Sequence, residues 1–172
     1  NVYQGVMYAA QNGARIVNLS LGRVGNFSRY EQEVIRFITE TYDVVVVAAS
    51  GNNPNDPPYY PATYQDVTSV IHTNVSEVKA GSSTHNFFVD LMAPGEGVFT
   101  TEANDSYRYV TGSSFAAPFT AGVAGLVMAR YPELDARQVA ALLRVTADKE
   151  VLSLPGNVPF ADSLGNGRIN AY

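Results

Sequence analysis

The chain of 172 residues contains no cysteine and only two histidines, His72 and His85. The absence of cysteine excludes disulfide bonds, thiol catalysis and cysteine-ligated metal sites, but it leaves the compartment open because many secreted enzymes also lack cysteine. No spacing of His, Asp and Glu is typical of a ligand set. The residues alone therefore predict no metal site and no catalytic cofactor.

Long apolar runs and clusters of basic residues are also absent. No apolar segment reaches the roughly 18 residues that a membrane-spanning helix needs, because Pro118 and Thr120 interrupt the longest one. The 11 basic and 16 acidic residues give a net charge of -5, without a basic stripe for phosphates. We expect neither a membrane nor nucleic acid as a partner. The 46% of hydrophobic residues suffices for one domain over residues 1–172.

Helical and strand patterns alternate along the chain, which predicts an α/β fold with a parallel sheet. A first helix is expected to end at about Gln11, followed by a buried strand over residues 16–19. Ser28 and Glu31 form a predicted capping box at the start of a second helix. The β-branched run "DVVVVAASGNN" is typical of a central strand buried on both faces, and "VTSVIHT" predicts another strand.

The later segments include one unusual helix. The four prolines of "NPNDPPYYP" predict an irregular loop, and "FFVDLMAPGEGVFTT" predicts a strand, a Pro-Gly turn and a second strand. The helix predicted from Ser114 to Arg130 is small and apolar almost all round, so neighbours should cover it on every side. Asp135 and Gln138 cap a last helix over residues 136–146, and "LGNGRINAY" returns as a turn and an edge.

The turn Gly112-Ser113-Ser114 opens the apolar helix. A helix N-terminus carries about half a positive charge and unpaired N–H groups, which suit a nucleophile that generates an oxyanion. Taken by itself, the turn is better explained as a plain helix N-cap formed by Ser113 or Ser114 than as a nucleophile site. The neighbouring motifs decide between these interpretations.

Five segments, in their order along the chain, resemble the subtilisin-like serine proteases. "GSSFAAP" is similar to that family's Gly-Thr-Ser-Met-Ala-Ala-Pro nucleophile motif. "IVNLSLG" resembles the substrate-backbone strand, "VVVVAASGNN" the oxyanion strand, "YYPATY" the tyrosine-proline turn and "DLMAPG" the stretch before the nucleophile. The resemblance implies a serine endopeptidase acting on polypeptides, a partial subtilisin-like three-layer fold, and secretion or a place at the cell surface.

The resemblance also implies site residues. Ser114 matches the nucleophile and leaves Ser113 as the helix cap, while Asn52 matches the asparagine whose side-chain amide helps to form the oxyanion hole. One strand end would pair its backbone with the peptide before the cleaved bond: Ser20, Leu21 and Gly22. Another would form a wall of the pocket for the residue preceding that bond: Ala49, Ser50 and Gly51.

Two finer expectations follow from the same resemblance. In well-studied relatives a small residue often precedes the tyrosine-proline turn at the base of this pocket, whereas here it is Tyr59. If the Tyr59 ring points inward, the pocket is shallow and small substrate residues are preferred. The family often binds structural calcium, and the carbonyl groups of residues 61–64 would contribute to a weak cation site.

The family's motifs for the general base and its carboxylate, His-Gly-Thr-His and Asp-Gly, are not present. His72 and His85 lack the matching flanks, and Asp43 and Asp90 sit at strand positions, so we expect structural roles for all four. The chain thus looks like the C-terminal half of a catalytic domain, inactive alone, with the N-terminal half as its noncovalent partner. Without that half, we expect a homodimer formed through the edge of residues 16–19.

Two other hypotheses stay open. A degenerate relative could keep the fold and the peptide groove as a binding or structural module, and upstream Asp and His motifs would discriminate it from an enzyme. An unrelated α/β hydrolase using His72 or His85 is a weaker alternative, because the Gly-x-Ser-x-Gly elbow of such enzymes is absent.

Overall fold

Helices and strands alternate through most of the chain. A computed structural model describes residues 1–171; Tyr172, the last residue of the predicted tail, lies outside the described residues. The elements are α1 (Val2–Gln11), β1 (Ile16–Leu19), β2 (Arg23–Val24), α2 (Arg29–Tyr42), β3 (Val45–Ala49), β4 (Tyr59–Tyr60), β5 (Val67–Thr73), β6 (Leu91–Pro94), β7 (Val98–Glu102), β8 (Ser106–Val110), α3 (Ser113–Arg130), α4 (Ala136–Val145) and two 3₁₀ helices, Glu150–Ser153 and Val158–Ser163.

The central sheet has four parallel strands in the spatial order β1-β3-β5-β6. Residue pairs such as Leu19 and Ala48 fix the register between β1 and β3. Parallel neighbours need a crossover connection, and α2 supplies it between β1 and β3. The predicted α/β fold with a parallel sheet is confirmed.

Helices cover both faces of this sheet. On β3, Val45 and Val47 pack in a cluster with residues of α3 and α4. The alternating residues Val46 and Ala48 pack in a second cluster with residues of α1 and α2. Because successive side chains of a strand point to opposite faces, β3 is buried on both sides and the domain has three layers.

The strand β1 is less buried than its sequence predicts. Only Leu19 is buried, while Asn18 is exposed and the first two residues are half-buried. Within residues 1–171, β1 pairs with β3 alone and therefore forms an edge of the sheet. The prediction of a buried strand is wrong for this part of the protein because nothing in it covers the outer side of β1.

The helix α3 is covered on one side only. Ala116, Ala117 and Ala124 are fully buried against the sheet. On the opposite side, Phe119 is 47% exposed and Leu126 is 62% exposed. The prediction that neighbours cover this helix on every side is wrong within the described residues, since only the small-residue face meets the sheet.

Some local signals act as predicted and others do not. Asp135 and Gln138 form a full capping box at the start of α4. At α2, the Ser28 side chain accepts from the N–H of Glu31, but the Glu31 carboxylate bonds to residues distant in sequence instead of closing a box. The proline-rich segment predicted to be irregular contributes Tyr59 and Tyr60 as β4, which pairs antiparallel with β2. No helix within residues 1–171 has the length and hydropathy to cross a membrane.

Candidate active site

Ser114 is the second residue of α3, so it lies in the first turn, where the N–H groups have no carbonyl group four residues earlier in the helix to bond. The N–H of Phe115 donates to the carbonyl oxygen of Gly112 at 3.0 Å. Gly112 is the N-cap residue, and as a glycine it has no side chain with which to cap the helix. The prediction that Ser113 is the cap is therefore wrong, because its hydroxyl group is used in tertiary contacts. A Cβ atom on Gly112 would lie 3.0 Å from Nδ2 of Asn52, so a side chain there would disturb this asparagine.

Asn52 follows β3 and is fixed by Ser113. Its Oδ1 atom accepts hydrogen bonds from the backbone N–H of Ser113 at 2.8 Å and from the Ser113 hydroxyl at 3.0 Å. A backbone N–H can only donate, so the atom that faces it must be the amide oxygen. The Nδ2 donor is therefore turned away from Ser113, on a side chain that is exposed. No partner within residues 1–171 occupies this donor, so it can act on a ligand bound at the start of α3.

Ser20 joins the end of β1 to the same helix. The Ser114 hydroxyl donates to the Ser20 carbonyl oxygen at 3.2 Å, and the Ser20 hydroxyl donates to the Ser114 carbonyl oxygen at 2.7 Å. The next two residues, Leu21 and Gly22, are exposed. Their backbone groups are thus accessible to an extended peptide that ends near the Ser114 hydroxyl.

The strand order explains why these groups meet. β1 and β3 are neighbouring parallel strands, so Ser20 and Asn52 leave the sheet at the same edge. The start of α3 lies over this carboxyl edge, where ligands bind in open α/β sheets. The structure brings together Ser20, Asn52 and Ser114, although up to 94 residues separate them in sequence.

The segment matched to a pocket wall presents mainly its backbone. The Ala49 side chain packs in the core between the sheet and α3. The Ser50 hydroxyl donates to the Thr84 carbonyl oxygen at 3.2 Å, and the N–H of Gly51 donates to the Ser113 hydroxyl at 3.2 Å. Gly51 has a φ of 110°, a conformation that favours glycine. All three residues are buried, and the turn after β3 is held by Thr84 and by the start of α3.

Thr84 is a site-supporting residue that the sequence does not reveal. Its N–H donates to the Gly51 carbonyl oxygen at 3.1 Å, and its hydroxyl accepts from the N–H of Asn53 at 2.9 Å. Together with the Ser50 contact, these bonds hold the turn that carries Asn52. Thr84 lies in a mixed polar segment without a regular pattern, so no local signal marks it.

Neither histidine contacts Ser114. His72 is fully buried, its Nε2 atom lies 3.2 Å from the Ser82 hydroxyl, and its Nδ1 atom has no partner within residues 1–171. Burial, with repulsion from Lys79, lowers the pKa of His72 to about 4.

The other histidine, His85, packs edge-on against Phe160, with 4.8 Å between the ring centroids, and burial lowers its pKa as well. Burial thus favours the neutral form of both imidazoles, and the contacts of both rings are structural.

The two candidate carboxylates also have structural partners. Asp43 accepts from the N–H of Ala136 at 2.6 Å, at the start of α4, and pairs with Arg15. Asp90 accepts from the N–H of Ser69 at 2.9 Å and lies near Arg144. Burial raises the pKa of Asp90 against the opposing effect of these two contacts. Neither carboxylate orients an imidazole.

A partly buried cluster of hydrogen-bonded side chains around Glu31 borders the cleft beside Leu21. The Glu31 carboxylate accepts hydrogen bonds from the hydroxyls of Tyr3 at 3.0 Å and Tyr64 at 2.6 Å, and it pairs with Arg23. Burial opposes ionisation of Glu31, but these three partners outweigh it and lower its pKa. The cluster forms part of the wall of an open cavity of about 500 Å³ that reaches Leu21.

The turn matched to a weak calcium site uses one of its carbonyl groups in an internal hydrogen bond. The Pro61 carbonyl oxygen accepts from the N–H of Tyr64 at 3.0 Å. Within residues 1–171, no group of three or more His, Asp or Glu side chains could hold a metal ion. Calcium prefers several carboxylate and carbonyl oxygens, so the weak cation site at this turn stays a prediction.

Comparison with known proteins identifies relatives over the whole chain. The model of the Subtilase family matches residues 1–167. Thermitase of Thermoactinomyces vulgaris is 36% identical over 172 residues, 99% of this chain and 57% of its own length. The cell wall-associated protease of Bacillus subtilis is 36% identical over 144 residues, 84% of this chain and 16% of its own length.

A solved structure agrees with this result. A protease from Pseudoalteromonas arctica superimposes with a TM-score of 0.87 at 26% identity, over 99% of this chain and 56% of that one. The chain thus spans little more than half the length of the thermitase and of this structure.

Proposed function

The chain belongs to the subtilase family, and from this premise we propose that the protein carrying it is a serine endopeptidase that acts on polypeptides by acyl transfer. The observation that supports this most directly is the Asn52 carboxamide, held by Ser113 with its Nδ2 donor free beside the first turn of α3. That donor and the backbone N–H of Ser114 would stabilise the oxyanion that forms when Ser114 attacks a carbonyl.

The proposed reaction has two stages. The Ser114 oxygen bonds to the carbonyl carbon of the substrate and its proton passes to a general base; the C–N bond then breaks and the amine leaves with that proton. Water next attacks the acyl-enzyme, releases the carboxylic acid product and restores the Ser114 hydroxyl. Within residues 1–171 the Ser114 hydroxyl bonds only to the Ser20 carbonyl oxygen, so the base and its carboxylate would come from another segment of the protein. The family resemblance implies that this segment precedes the chain described here.

The substrate would bind as an extra strand along Ser20, Leu21 and Gly22. Main-chain pairing gives affinity with little dependence on sequence, which suits a peptidase. The α/β hydrolase hypothesis is wrong, because the family is different and both histidines lie in structural contacts. The cell wall-associated relative supports a place outside the cytoplasm.

The decisive experiment uses the complete gene product. It is incubated with a fluorophosphonate probe and with casein, and the modified residue is located by mass spectrometry. We expect stoichiometric labelling of Ser114, hydrolysis of casein, and loss of both in a Ser114→Ala variant. A folded protein that shows neither labelling nor hydrolysis would instead be a binding module.

A further inference from the structure

The aromatic ring of Tyr59 fills the gap between two backbone segments of the cleft. A Cβ atom built on Gly22 would overlap the edge of this ring. A Cβ atom built on Gly51 would lie 3.0 Å from the Cγ and Cδ2 atoms of the same ring. The ring is therefore in close contact with the backbone on both sides, and neither wall could carry even a methyl group.

The backbone of Tyr59 is fixed in this position. Tyr59 pairs with Val24 in the ladder between β4 and β2. Its N–H donates to the Thr63 hydroxyl at 3.0 Å, and its carbonyl oxygen accepts from the N–H of Thr63 at 3.0 Å. These contacts hold the residue from both sides, so the ring can leave the gap only by rotation of its own side chain.

The walls of the gap are also fixed. Gly22 directly precedes β2, the strand that pairs with β4, so this wall is tied to the segment that carries the ring. Gly51 is held on the other side by the hydrogen bond from the N–H of Thr84 to its carbonyl oxygen. The gap cannot widen without breaking one of these sets of hydrogen bonds.

The position of this gap gives the ring a function. In the binding mode proposed above, a peptide pairs along the segment from Ser20 to Gly22 with its carbonyl carbon at Ser114. The side chain before the cleaved bond then enters the space between this segment and the matched wall that ends at Gly51. This is the space that the ring of Tyr59 occupies. We propose that Tyr59 restricts the substrate to glycine or alanine before the cleaved bond, an inference that rests on the proposed peptidase function.

The size of the effect follows from what a larger side chain would require. A Leu or Phe side chain has to displace the ring or remain outside the gap, and either change lowers binding in the transition state. A hydrophobic pocket discriminates about 10–200-fold between two substrates when one of them has an extra or missing methylene group. We expect kcat/KM for alanine to exceed that for phenylalanine by at least about tenfold.

The test compares peptides that differ only in the residue before the cleaved bond: Gly, Ala, Leu or Phe. The complete gene product is assayed with Tyr59 intact and as the variants Tyr59→Gly and Tyr59→Phe. We expect Tyr59→Gly to raise the Phe/Ala ratio of kcat/KM by about tenfold or more, and Tyr59→Phe, which keeps the ring, to retain the original ratio. An intact protein that cleaves after Phe as efficiently as after Ala would overturn the proposal, as would an unchanged ratio in Tyr59→Gly.

A binding measurement separates this proposal from the proposed catalysis. Peptides ending in Ala or Phe are titrated calorimetrically into the Ser114→Ala variant, with and without Tyr59→Gly. Tighter binding of the Ala peptide, reversed by Tyr59→Gly, supports the role of Tyr59 even if no peptide is hydrolysed. Equal binding of the two peptides contradicts it, whatever the activity.

Discussion

The Oδ1 atom of Asn52 receives both hydrogen bonds that Ser113 can offer, one from the backbone and one from the hydroxyl. The hydroxyl of Ser113 in turn accepts from the N–H of Gly51 at 3.2 Å. One side chain thus orients the amide and also fixes the turn that carries it. Ser113 is a positioning residue for Asn52.

Removal of the Ser113 hydroxyl should therefore affect turnover more than binding. We expect Ser113→Ala to lower kcat about two- to tenfold with little change in KM, because one hydrogen bond contributes about 0.5–1.5 kcal/mol and the oxyanion exists only during the reaction. Ser113→Thr is the matched control, since it keeps a hydroxyl group. Equal losses in the two variants, or a loss confined to KM, would argue against this role.

Replacement of Asn52 itself should cost more. Asn52→Ala removes the side-chain donor, and loss of the corresponding donor in subtilisin, a member of this family, lowers kcat about 10²–10³-fold. Steady-state kinetics of the complete gene product measure the effect, and fluorophosphonate labelling of Ser114 checks that the nucleophile is intact. A loss below about tenfold would mean that the Asn52 amide does not reach the oxyanion.

The isolated polypeptide of residues 1–172 should have no peptidase activity. The Ser114 hydroxyl donates to the Ser20 carbonyl oxygen, which cannot take up its proton, so the serine remains a weak nucleophile. Casein hydrolysis and fluorophosphonate labelling should both stay at background. Stoichiometric labelling of Ser114 in this polypeptide would reveal a base that the structure does not identify.

The buried His72 should make the fold sensitive to acid. Its pKa is about 4 in the folded protein and about 6.5 when unfolded, so only the unfolded chain takes up this proton between those values. The free energy of unfolding should therefore fall, by up to about 1.4 kcal/mol for each pH unit, as the pH drops from 6.5 to 4. Above pH 6.5 the contribution is constant.

Urea unfolding of the complete gene product at several pH values measures this effect, with His72→Leu as the comparison. The variant is expected to be less stable at pH 7, where it loses the contact with Ser82, but to have a flatter pH profile below 6.5. Parallel profiles for the two proteins would exclude His72 as the source. His85→Leu serves as a second control, because that side chain is less deeply buried.

The free edge of β1 should promote self-association of the isolated polypeptide. β1 pairs only with β3 within residues 1–171, and its other edge presents unpaired N–H and C=O groups. We expect a dimer joined by antiparallel pairing of β1, detected by light scattering at several concentrations. A monomer of about 18.5 kDa with protected amides at residues 16–19 would show that the edge is covered otherwise.

Much of the fold follows from local signals in the sequence. The capping box of Asp135 and Gln138 starts α4, and the β-branched run of β3 gives a strand buried on both faces. Such signals act between residues at most four positions apart, so a single sequence contains them in full. The motifs around Asn52 and Ser114, taken in their order along the chain, likewise suffice to indicate the family.

The sequence by itself thus determined the α/β fold class, most of the helices and strands, the family and the residues that meet at the site. Only the tertiary structure decided that Glu31 serves Tyr64 and not the cap of α2, that Ser113 orients Asn52, and that the ring of Tyr59 packs against Gly22. The physical reason is distance along the chain. The members of each pair lie 33 or more residues apart, and their contacts exist only once the order of the strands has placed them side by side.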